Sequence, residues 1–122
     1  MKKETKEWIN KAEDDLDSAK FNFSGGKYEV AIFLCQQAAE KAMKALLIEK
    51  RKELIKTHDL FLLANKLKAP KDIIEHAKEL TLAYTYVRYP GAPEIKDIEG
   101  RTKSFLDYAD GVIKWIKKSL QN

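Results

Sequence analysis

Gln36–Leu47, QQAAEKAMKALL, is the stretch that decides the fold class. With the residues just before it, it carries small side chains at Ala31, Cys35, Ala38, Ala42 and Ala45. Steps of four and three residues place these on one face of a helix. A stripe of small side chains lets a neighbouring helix come close. Ile32, Met43, Leu46 and Leu47 lie beside the stripe and widen the apolar face. Glu40, Lys41 and Lys44 interrupt the otherwise apolar run. The pattern is that of a buried helix in a bundle.

Composition agrees. The chain has 122 residues, enough for one domain spanning 1–122 with one core. Hydrophobic residues make up 44% and charged residues 34%, a balance that suits a soluble helical protein. Only five Gly and three Pro occur, so long uninterrupted elements are expected. The net charge of +4 is mildly basic and too diffuse to specify a nucleic-acid partner. The lone cysteine, Cys35, falls on the small-residue stripe and reads as a small buried apolar group. No intrachain disulfide is available, which fits a reducing compartment. No apolar run approaches membrane-spanning length and no secretory leader pattern stands out, so a cytoplasmic protein without membrane contact is expected.

Five helical segments follow from periodicity, and no strand does. The first runs from about Lys3 to Phe23, with Trp8, Ile9, Ala12, Leu16, Ala19 and Phe23 on its apolar face. Ser24-Gly25-Gly26 ends it. The second runs from about Tyr28 to Arg51, and Lys50, Arg51 and Lys52 complement the negative end of its dipole. Thr57 is the expected N-cap of a short third helix over His58–Leu67. Pro70 precedes a fourth, about Lys71–Val87. Arg88-Tyr89-Pro90-Gly91-Ala92-Pro93 cannot continue a helix. The last runs from about Gly100 to Leu120. Short connections between long helices predict an all-α, up-and-down bundle of four long helices plus a short fifth.

Chemistry-bearing residues are few. The two histidines, His58 and His76, lie on different segments without metal-ligand spacing, so no metal and no cofactor are expected. No local context marks a nucleophile triad, and Gly25-Gly26 lacks the Lys-Ser/Thr of a phosphate loop. Tyr84, Tyr86, Arg88 and Tyr89 cluster before the Pro-Gly turn. Tyrosines and a guanidinium can stack on a base, and the arginine can hold a phosphate with two hydrogen bonds. The competing reading is that the tyrosines complete the core and Arg88 pairs with a carboxylate. His58 and Asp59, beside the third helix's N-terminus, are secondary ligand-contact candidates.

Four motifs in order carry a family resemblance: WINKAEDDLDSAKF at 8–21, YEVAIFLCQQAAEKAMKALLIEK at 28–50, THDLFLL at 57–63 and YVRYPG at 86–91, followed by a long C-terminal helix. The chain resembles the HEPN family, named for higher eukaryotes and prokaryotes nucleotide-binding. The resemblance implies a bundle of four or five helices and a homodimer. It implies one of two activities. Some members are metal-independent ribonucleases, often toxins, with an Arg and a His four to six residues apart late in the bundle. Others accompany a minimal nucleotidyltransferase, in toxin–antitoxin-like modules, and help bind nucleotide or substrate.

The sequence departs from the nuclease pattern, because no His follows Arg88 or Arg101. Arg51 and His58 have six residues between them but straddle the connection after the second helix. The expectation is therefore a non-catalytic HEPN protein, a dimer that binds nucleotide or RNA through Arg88, Tyr89, Tyr86, His58 and Asp59 and partners a nucleotidyltransferase. A divergent ribonuclease toxin and a purely structural dimeric scaffold are the alternatives.

Overall fold

A computed structural model describes residues 1–51 and 54–121, the Arg51 side chain excepted. It has five α-helices: α1 Lys3–Ser24, α2 Tyr28–Arg51, α3 Leu60–Lys66, α4 Lys71–Arg88 and α5 Ile98–Leu120. No strand occurs among the described residues. The short helix is third in the chain. Lys52, and the side chain in the Arg51–His58 spacing, lie outside the described residues.

α2 packs against all four other helices. Its stripe is the reason: Ala31, Cys35, Ala38, Ala42 and Ala45 are all fully buried. Direction follows from cross-helix pairs. Thr5 Oγ1 donates to Glu49 Oε1 at 2.9 Å while Asp15 pairs with Lys41, so α1 and α2 run antiparallel. Phe33 stacks on Tyr84 and the Glu29–Val30 end meets Val87–Arg88, so α2 and α4 do too. His76 stacks on Tyr108 and Glu79 pairs with Arg101, which reverses α5 against α4. The result is up-down-up-down, with α3 bridging α2 and α4. Tyr28 donates to Glu99 Oε1 at 2.7 Å and joins the starts of α2 and α5.

Helix ends differ from the sequence expectation in five places, two of them single-residue shifts that end α1 at Ser24 and α3 at Lys66. α3 begins at Leu60, because the Asp59 carboxylate, not Thr57, caps it by accepting from Leu62 N–H at 3.1 Å. Thr57 Oγ1 accepts instead from Asp59 N–H at 3.1 Å, one step upstream. His58 therefore precedes the helix. α5 starts two residues early, at Ile98, because Asp97 turns left-handed and its side chain caps Gly100 N–H. α4 runs one residue further, to Arg88. After α1 it is Gly26, at φ +76°, that takes the left-handed position.

Cys35 is fully buried, and burial pushes its thiol up to about 12. A thiol so rarely ionised is packing material, not a nucleophile. Two features of α2 contradict a simple apolar-in pattern. Glu40 and Lys44, read as interruptions, are buried at 4% and 7% exposure, and Gln36 is fully buried. Among the described residues no helix is long and apolar enough to cross a membrane.

Candidate functional site

Gln36, Glu40 and Lys44 lie four residues apart, so α2 presents them as one row. The Glu40 carboxylate sits at its centre. Its Oε2 accepts from Lys44 Nζ at 2.8 Å, and its Oε1 accepts from Gln36 Nε2 at 3.0 Å. A third donor comes from outside the helix, His58 Nδ1 at 2.9 Å. Burial by itself pushes the Glu40 carboxyl up, but the hydrogen bonds from Lys44, His58 and Gln36 outweigh it and hold the group below its ordinary range. Lys44 also lies 6.0 Å from the centre of the Trp8 ring.

The same network fixes His58. Gln36 Nε2 donates to the His58 carbonyl at 3.1 Å, so one side chain holds both the backbone and the carboxylate that orients the ring. Leu60 N–H donates to Thr81 Oγ1 at 3.0 Å and ties the following helix start to α4. With Nδ1–H on Glu40, the neutral ring keeps its lone pair on Nε2. The side chain is 58% exposed. The imidazole stacks on Tyr84, with centroids 5.4 Å apart and planes 26° apart.

Tyr84 is the hub. Phe33 of α2 stacks on it at 5.8 Å. Arg88, one turn later on α4, lies 5.1 Å from the Tyr84 ring centre and donates from Nη1 to its hydroxyl. The guanidinium is also 5.9 Å from the Tyr89 ring, and Tyr89 is 62% exposed. Lys44, Glu40, His58, Tyr84 and Arg88 therefore form one continuous chain of contacts from the core to the surface. The ion pairs among the described residues do not include Arg88. The competing expectation, an Arg88–carboxylate pair, is thus not met among the described residues. Its other half holds for Tyr84, which is buried.

Arg88 and Tyr89 open onto a cavity of about 530 Å³ formed with Tyr86, the 90–95 connection, Glu29 and the start of α5. Tyr86 is half exposed and lines both this cavity and a smaller neighbouring one. Of the residues singled out from sequence, Arg88, Tyr89 and Tyr86 gather here. His58 joins them through Tyr84. Asp59 does not, since its carboxylate is committed to capping α3.

Sequence reasoning missed Gln36 and Glu40 as partners of His58, and Lys44 as a partner of Glu40. The available signal was three polar residues repeating every fourth position on an otherwise buried helix. It also read Arg88 as lacking an imidazole neighbour. His58 is thirty residues away in the chain, yet its ring packs on the tyrosine that Arg88 touches. Among the described residues, no group of three or more His, Cys, Asp or Glu is arranged to hold a metal ion.

A five-helix bundle with a polar row buried in its second helix, and an aromatic–arginine edge at the end of its fourth, defines the class. The chain belongs to the HEPN domain family, whose model matches residues 5–120. It is similar to the crystal structure of a Thermus thermophilus protein, with a TM-score of 0.86 and 26% identity over 96% of this chain and 98% of that one. It is similar also to an archaeal HEPN homologue, with a TM-score of 0.82 and 35% identity over 97% and 98% of the two chains. A HEPN domain protein from Thermotoga maritima aligns with a TM-score of 0.79 and 26% identity over 95% and 98%. No curated protein matches the sequence.

Proposed function

We propose that this chain is a non-catalytic HEPN protein that binds a nucleotide at the Arg88–Tyr89 edge. It would act as a homodimer and as the accessory partner of a small nucleotidyltransferase, in a toxin–antitoxin-like module. The observation that carries the reading is Arg88. Its guanidinium is held against two tyrosine rings, is absent from the described ion pairs, and faces a cavity large enough for a nucleotide. A guanidinium fixed in this way is pre-organised to grip a phosphate, and the neighbouring Tyr89 and Tyr86 offer aromatic surface for the rest of a nucleotide. Glu29, which lines the cavity, is an acceptor suited to ribose hydroxyls. The half-buried Phe33 and exposed Val30 beside this edge supply apolar surface for a second protein. Light scattering on the purified chain reads the dimer directly, and a clean monomer at micromolar concentration removes that part.

Isothermal titration with a panel of nucleotides tests the binding. Arg88→Ala is expected to weaken the best ligand by about tenfold or more, the scale of one charge-assisted contact. No binding by the chain, alone or with the nucleotidyltransferase, overturns the proposal.

A second reading, a metal-independent ribonuclease, is favoured by one observation: His58 and Arg88 pack on the same ring. His58 Nε2 would take the proton of a 2′-hydroxyl, whose oxygen attacks the adjacent phosphorus. The bond from phosphorus to the 5′-oxygen breaks, that oxygen takes a proton from solvent, and a 2′,3′-cyclic phosphate remains. Arg88 would stabilise the charge on the phosphoryl oxygens. This reading expects RNA cleavage that survives EDTA and is lost in both His58→Ala and Arg88→Ala. Intact RNA after prolonged incubation leaves the binding role alone.

A further inference from the structure

The smaller cavity beside Tyr86 has a chemistry of its own. It encloses about 330 Å³ between α4, the 93–95 connection and α5. Phe105 lies at its inner wall, buried to 1% exposure, and the Arg101 guanidinium sits 5.2 Å from the Phe105 ring centre. Leu82 and Ile95 add further apolar surface. The polar lining is Glu79, Glu94, Arg101 and the edge of Tyr86. Arg101 Nη2 donates to Glu79 Oε2 at 3.4 Å, a long contact between half-exposed groups. The wall thus presents donors next to acceptors, set against flat apolar surfaces.

We propose that this cavity is a guanine pocket, which receives the base of the nucleotide whose phosphate Arg88 holds. The proposal rests on the nucleotide-binding reading above. The two cavities are neighbours, with Tyr86, Pro93, Glu94 and Ile95 lining both. The match is one of hydrogen-bond pattern. Guanine presents O6, an acceptor, beside N1–H and N2–H, two donors. Arg101 supplies the donor for O6, and the two oxygens of Glu79 accept from N1–H and N2–H. Adenine gives a carboxylate only one donor and sets the lone pair of N1 beside its second oxygen. Cytosine and uracil lack the paired donors as well. Tyr86 and the apolar wall of Leu82, Ile95 and Phe105 cover the planar base.

Titration calorimetry with GMP, AMP, CMP and UMP, plus guanosine, tests this on the wild-type chain, Glu79→Gln and Arg88→Ala. Glu79 is half exposed, and melting curves check that Glu79→Gln and Arg88→Ala keep the fold. GMP is expected to bind about tenfold or more tighter than AMP, the scale of one lost bidentate contact. Glu79→Gln is expected to remove most of that preference, weakening GMP and strengthening AMP, because the amide NH2 can donate to the N1 lone pair of adenine. Arg88→Ala is expected to weaken GMP and AMP alike and to leave guanosine nearly unchanged. A guanylyl dinucleotide that binds tighter than GMP identifies an RNA unit as the natural source, and equal binding identifies the free nucleotide. Equal affinity for GMP and AMP, both weakened by Arg88→Ala, overturns the guanine pocket and leaves the nucleotide site standing. Preference for GMP that survives Glu79→Gln also overturns it. Binding of guanosine with no effect of Arg88→Ala on GMP overturns the phosphate site and keeps the pocket. No binding of any of these ligands overturns both.

Discussion

Glu40→Ala is expected to destabilise the bundle by about 3 kcal/mol, the lower end for removing one partner of a buried ion pair. For a chain of this size that is a fall of roughly 10 °C in melting temperature. The reason is what stays behind. Lys44, with only 9% of its side chain exposed, keeps its charge without its carboxylate, and Gln36 loses one of its acceptors. His58 loses the acceptor that orients its ring. Glu40→Leu with Lys44→Met is expected to recover most of the loss, because two apolar groups need no partners. Thermal denaturation of the single and double variants reads the coupling. Equal losses in single and double variants would remove the ion pair from the explanation.

The pH dependence has a fixed sign. The Glu40 carboxyl titrates below its ordinary range in the folded chain, so the folded state holds the charged form more tightly than the unfolded state does. Its contribution is complete at neutral pH, above the ordinary glutamate range. It is lost as pH falls through that range towards the folded value. The stability gap between wild type and Glu40→Gln should therefore be widest near neutrality and close in acid.

Phe105→Ala is expected to cost about 3–5 kcal/mol, the range for emptying a buried aromatic site. Phe105 is 1% exposed, meets Tyr108 edge-on at 6.2 Å and supports the Arg101 guanidinium. Its loss opens the core and removes a wall of the guanine pocket together. Phe105→Leu refills most of the volume and should cost much less in stability. It still removes the flat surface beneath Arg101, so guanine preference should fall in both variants. A melting temperature unchanged in Phe105→Ala would contradict the packing described for α5.

Much of the bundle was legible because helical packing is written in local spacing. The small residues from Ala31 to Ala45 predicted a buried, closely approached helix, and α2 is the helix that touches all others. Core positions on α1, α4 and α5 followed the same periodicity. Helix ends were less legible. Whether Thr57 or Asp59 caps α3, and whether Asp97 starts α5, depends on which oxygen reaches which N–H, and several residues in each stretch are chemically able. Glu40 and Lys44 were misleading for another reason. Charge predicts exposure only when no partner is at hand, and their partners include a residue eighteen positions along the chain, His58.

The sequence by itself determined the class of fold, the antiparallel order of the long helices, and the clustering of Tyr86, Arg88 and Tyr89 at the end of the fourth helix. Those features rest on interactions between residues three or four apart, or on the breaking of a helix by proline. The tertiary structure alone decided that His58 belongs to that edge, that Glu40 orients it, and that Asp59 does not take part. It alone placed Glu79 and Arg101 around one cavity over Phe105. Each of these joins groups that no local spacing relates, and the packing of α2, α4 and α5 is what brings them within hydrogen-bond or stacking distance.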